Sequence, residues 1–74
     1  MPQAVRIDIL GLGRNIAKRR KKRGLTQKEL AKRVGISEDY LSMIEREKRR
    51  PHVKTIVRIS KCLDVEIELL LRKS

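Results

Sequence analysis

The reactive side chains of this 74-residue chain fall into two groups. The first is Ser37, Glu38 and Asp39, with Ser42 and Met43 one turn further on. Ionised carboxylates only accept hydrogen bonds, so they suit amino groups and repel phosphate. Nothing nearby turns them into catalysts. His52 and Cys62 are the only residues of their types and stand ten positions apart. No activated nucleophile or metal cluster can be assembled from them, so no enzyme activity, metal or cofactor is expected. Gly11-Leu12-Gly13 is a GxG without the third glycine, lysine or hydroxyl of a phosphate loop, which excludes a nucleotide site. The second group is basic. Formal net charge is +11, and residues 11–34 carry ten basic residues against Glu29 alone. Residues 35–50 carry four of each sign. A face of this charge calls for a polyanion. A membrane-surface helix fits less well, because too little apolar surface remains on the same segment.

Both groups need elements to hold them, and the stretch from Leu25 to Pro51 supplies these. Thr26 is a good N-cap, and Glu29 three residues later completes a capping box. Leu30, Ala31 and Val34 share one helical face. Gly35 ends that helix, since glycine takes the left-handed conformation readily. Ile36 packs inward, and Ser37 caps a second helix whose first turn holds Glu38 and Asp39, near the positive helix end. Leu41, Ile44 and Glu45 lie on its inner side. Helices 2 and 3 of the chain are therefore expected at about 26–34 and 37–45. Two short helices joined by a glycine-containing turn are the signature of a helix-turn-helix.

The run Arg20, Gly24, Leu25, Thr26, Gln27, Leu30, Ala31, Val34, Gly35, Ile36, Ser37, Ile44, Glu45, Lys48 and Pro51 resembles the phage repressor and Cro (XRE-type) helix-turn-helix family. The match continues to Val65 and covers about three quarters of the chain. It implies an all-α, lambda-repressor-like bundle of about five short helices over residues 12–74, with 1–11 as an N-terminal arm. It also implies a structural ion pair between Arg20 and Glu45. In such a domain helix 3 enters the major groove of double-stranded DNA while helix 2 crosses the backbone. Ser37, Glu38, Asp39, Ser42 and Met43 match the base-facing positions. Two acids there favour cytosine N4 or adenine N6 amino groups, unless they serve only the helix dipole. Thr26, Gln27, Lys28, Tyr40, Lys48, Arg49 and Arg50 are the expected phosphate contacts, with Gln27 taking the family role at the start of helix 2.

The flanks complete the frame. Val5, Ile7 and Ile9 alternate like a strand, while Ile7 and Leu10 could begin a helix. A first helix is expected from about Leu12 to Arg23, with Leu12, Ile16 and Ala17 inward. Arg19 stands where the family commonly has an apolar residue; its stem is expected to pack with the head in solvent. Glu47 stands where the family has glycine, and His52 where it has an N-cap serine. A fourth helix, about Val53 to Leu63, should bury an inner stripe of Val53, Ile56, Val57, Ser60 and Leu63, with Ile59 adjacent. Asp64 replaces a frequent glycine, and Val65 enters the core. A last helix at about 66–71 puts Ile67, Leu70 and Leu71 on one face; the resemblance implies a dimer contact there, with closure of the monomer core as the alternative.

Seventy-four residues with one tyrosine and no Phe or Trp allow a single domain with a small aliphatic core. There is no long apolar run and no signal-peptide order. The single cysteine excludes an intrachain disulfide and fits a reducing cytoplasm. The resemblance implies a sequence-specific DNA-binding transcriptional regulator, expected to be a repressor acting as a homodimer on a palindromic operator. The alternative is an antitoxin or bridging cofactor that docks on a protein partner and holds nucleic acid non-specifically.

Overall fold

A computed structural model describes residues 11–71 and contains five helices: α1 Leu12–Lys22, α2 Gln27–Val34, α3 Glu38–Glu45, α4 Val53–Leu63 and α5 Ile67–Leu71. There is no strand among the described residues. The alternating segment Val5–Ile9 lies outside them.

α1 packs on α3, α4 and α5, and α2 packs on α3 and α4. The core at their junction is aliphatic throughout. Ile16, Leu30, Leu41, Ile59, Leu63 and Leu70 are fully buried. Burying each such side chain contributes roughly 1.5–3 kcal/mol. Gly13 is what allows α1 to lie so close to α3: a Cβ there would stand 2.0 Å from the carbonyl oxygen of Ile44 and 2.8 Å from that of Glu45. The GxG therefore serves helix packing.

Helices α1 to α4 end alike. In each, a residue with positive φ reverses the chain just past the helix: Gly24 (70°), Gly35 (86°), Glu47 (62°) and Asp64 (54°). The amide after each bonds back over the turn: Leu25 to Arg20, Ile36 to Ala31, Lys48 to Met43 and Val65 to Ser60. These bonds satisfy carbonyls that the helix leaves open. Glycine adopts the conformation without strain, and an acid adopts it at some cost. At Glu47 the carboxylate adds a contact: Oε2 accepts from the Arg14 amide at 3.4 Å. That is the first turn of α1, whose N-cap Gly11 offers no side chain. Asn15 ties α1 to α5 by donating from Nδ2 to the carbonyls of Leu69 (3.0 Å) and Leu70 (3.1 Å).

Several expectations need correcting. Val57, expected on the inner stripe of α4, is only half-buried and stands outside the aliphatic core. Val53 is 52 % exposed, because it opens α4 directly after the His52 cap, ahead of the stripe formed by Ile56, Ile59 and Leu63. Leu70 is fully buried within the single chain, so it belongs to the core and is not available to a second copy; Ile67 and Leu71 remain half-buried at the surface. Arg19 does not keep its whole head in solvent: its Nε is buried without a hydrogen-bond partner.

Candidate nucleic-acid interface

The turn between α2 and α3 is set by local chemistry. Thr26 accepts from the Glu29 amide at 3.0 Å, and Glu29 Oε1 accepts from the Thr26 amide at 2.8 Å. This closed capping box fixes where α2 begins. The backbone bond from Thr26 holds the Glu29 carboxyl below its ordinary range, with Arg33 adding a smaller attraction. At the next helix, Ser37 Oγ accepts from the Tyr40 amide at 3.0 Å. The hydroxyl oxygen of Ser37 is thus occupied by capping, and its O–H remains for an outside acceptor.

Glu38, Asp39, Ser42 and Met43 stand at i, i+3 and i+4 spacings, on one stripe of α3. Glu38, Asp39 and Met43 are exposed, as is Ser37, while Ser42 is half-buried. The opposite side of α3 buries Leu41, Ile44 and Glu45. The five residues expected to face bases therefore share one outward surface.

α3 is clamped at its C-terminal end. Arg20 Nε donates to Glu45 Oε2 at 2.7 Å and Arg20 Nη2 to Oε1 at 3.0 Å, a bidentate pair buried to 9 % and 4 % side-chain exposure. Arg20 Nη1 also donates to the Leu25 carbonyl at 2.8 Å. Gln27 Nε2 donates to Glu45 Oε1 at 2.9 Å, a bond that sequence reasoning missed. The amide expected at a phosphate thus has one N–H turned inward, joining the start of α2 to the end of α3. The backbone amides of Gln27 and Lys28 remain at the positive end of α2.

The connection to α4 leaves Arg46, Glu47, Lys48, Arg49 and Arg50 exposed, and Pro51 is buried. The Lys48 amide bonds to the Met43 carbonyl at 2.8 Å, which seats this basic loop on α3. Tyr40 is half-buried against the core, and the Arg49 guanidinium lies 5.9 Å from the centroid of its ring.

Not all of the basic charge gathers here. Arg19, Lys22 and Arg23 border a hollow with Leu63 and Val65, at the α4–α5 edge. Arg23 pairs with Asp64 at 3.2 Å, an exposed contact. On α1, Arg19 is about 120° around the axis from Gly13, which faces α3. The positive charge of α1 is therefore divided between two sides of the domain. Among the described residues no group of His, Cys, Asp and Glu could hold a metal ion. None of the described helices is long and apolar enough to cross a membrane.

The helix-turn-helix family model matches residues 16–70. This chain belongs to the Cro/C1-type helix-turn-helix family. It is 42 % identical over 60 residues to an uncharacterised HTH-type transcriptional regulator, y4dJ, of Sinorhizobium fredii, covering 80 % of this chain and 78 % of that one. Its fold is similar to that of the restriction-modification controller protein C.AhdI from Aeromonas hydrophila, with TM-score 0.80 and 28 % identity over 85 % of this chain and 96 % of that one. It is also similar to SinR in complex with DNA, with TM-score 0.78 and 35 % identity over 82 % and 98 %. The chain spans about half the length of the Bacillus subtilis regulators ImmR and SinR. Members of this family are DNA-binding transcriptional regulators and not enzymes.

Proposed function

We propose that this chain is a sequence-specific repressor that binds a palindromic operator as a homodimer. One observation carries the reading. α3 presents Ser37, Glu38, Asp39, Ser42 and Met43 on a single outward stripe, with Arg20 and Glu45 clamping it from behind and Lys48, Arg49 and Arg50 beside it. An exposed stripe flanked by cations suits a groove between two phosphate backbones. The Gln27 and Lys28 amides and the Lys28 side chain fit a phosphate on the other flank. Ile67 and Leu71 are apolar surface on α5 suited to a twofold contact. The relatives support the regulatory part: one similar protein is the immunity repressor of Bacillus phage phi105, 32 % identical over 60 residues.

Selection from a random duplex pool at physiological salt tests this. The expected result is an inverted repeat whose half-site centres lie about one helical turn apart. Binding without an enriched site, vanishing as salt rises, would transfer the weight to docking on a protein partner.

A further inference from the structure

Long basic side chains lose rotamer freedom when they grip a phosphate, so a preformed support is an advantage. Arg49 has one. Its guanidinium carbon lies 5.9 Å from the Tyr40 ring centroid, within cation–π range. The platform is part of α3 itself: Tyr40 packs against the core, and its amide is held by Ser37 Oγ at 3.0 Å. The loop that carries Arg49 is seated on the same helix by the 2.8 Å bond from the Lys48 amide to Met43. Ring and guanidinium are therefore both referred to one rigid element.

We propose that Tyr40 is a positioning residue, whose ring presents Arg49 to the DNA backbone in register with the base-facing stripe of α3. The tyrosine expected to touch phosphate by itself then acts through the arginine, and its hydroxyl is dispensable. This rests on the DNA-binding reading above. It adds a coupling between the helix that reads bases and the loop that grips phosphate.

The test compares wild type with Tyr40→Phe, Tyr40→Leu, Arg49→Ala and the double variant Tyr40→Leu/Arg49→Ala. Binding to the selected duplex is measured over a salt series, well below each variant's melting temperature. Tyr40→Phe is expected to bind as wild type. Tyr40→Leu is expected to bind about 2- to 5-fold more weakly, the equivalent of a cation–π contact of about 0.5–1 kcal/mol. Arg49→Ala should lower the slope of log K against log salt by about 0.9, and Tyr40→Leu should then cost nothing further. In the free protein the Arg49 side-chain protons should show the upfield ring shift in wild type and Tyr40→Phe, and lose it in Tyr40→Leu. Equal losses for Tyr40→Phe and Tyr40→Leu would overturn the proposal in favour of a hydroxyl contact. The same loss with and without Arg49 would overturn it in favour of packing. A wild type that keeps the ring shift but binds no duplex at low salt would overturn the DNA-binding reading instead.

Discussion

Removing Glu45 is the most informative single perturbation of the scaffold. Three donors converge on its carboxylate: Arg20 Nε at 2.7 Å, Arg20 Nη2 at 3.0 Å and Gln27 Nε2 at 2.9 Å. In Glu45→Ala the Arg20 guanidinium, at 9 % side-chain exposure, keeps only the Leu25 carbonyl. Breaking a buried pair by deleting one partner costs about 3–5 kcal/mol, because the other charge stays behind unpaired. A domain of this size has roughly 4–11 kcal/mol in total, at about 0.05–0.15 kcal/mol per residue. The variant should therefore lose about half its stability, and its Tm should fall by roughly 15–30 °C. Urea denaturation followed by circular dichroism reads this as a lower midpoint at unchanged slope. Replacing both partners, Arg20→Met with Glu45→Leu, should recover most of the loss, since no charge is then stranded. A cost for Glu45→Ala below about 1 kcal/mol would refute the reasoning, because that is what a hydrated surface pair contributes.

Four further outcomes are expected. Gly13→Ala should destabilise by about 1–3 kcal/mol or more in the same denaturation assay, because the new methyl meets backbone carbonyls of Ile44 and Glu45 that cannot rotate away. Arg19→Leu should raise the urea midpoint by the equivalent of about 1 kcal/mol, since it removes a buried N–H that has no partner. Glu47→Gly should raise Tm by relieving a left-handed residue at φ 62°, worth about 1 kcal/mol, against the loss of a long 3.4 Å bond to Arg14. The Glu29 carboxyl is held below its ordinary value of 4.5, so the folded state favours its ionised form. The capping box is then fully stabilising above pH 4.5 and is lost as pH falls through the lower folded value. A carboxyl NMR titration should find that lowered midpoint, and Glu29→Gln should abolish this part of the acid sensitivity.

What could be read from the sequence was what is decided within a few residues. Thr26 with Glu29, Gly35 and Ser37 act on their own helix ends, and the structure shows caps or reversals at each. His52 likewise caps α4, accepting from the Lys54 amide through Nδ1. The outward stripe of α3 followed from periodicity, because Leu41 and Ile44 settle which side is inward. The failures concern distant partners. Nothing adjacent to Gly13 announces that α3 carbonyls will press against it. Periodicity assigned Val53 inward, but α4 only reaches the core a turn later. Ile67, Leu70 and Leu71 look alike in sequence, and only the position of α1 and α4 decides that Leu70 is covered within one chain. Charge was the subtlest case. Ten basic residues within 11–34 suggested one gripping face, yet Arg20 is buried in a pair and Arg19, Lys22 and Arg23 sit at the α4–α5 edge.

The central proposal is that α3 reads bases, with Glu38 and Asp39 as its most distinctive proposed readers. The most direct test repeats the duplex selection with Glu38→Ala and with Asp39→Ala, beside wild type. If α3 lies in the major groove, each variant should relax the preference at one or two positions of the half-site, by about 1–3 kcal/mol per base pair, and leave the other positions unchanged. Wild type should favour cytosine or adenine amino groups at those positions. An unchanged site in both variants, with affinity raised uniformly because each has lost one charge that repels phosphate, would contradict the account and reduce both acids to helix-dipole partners.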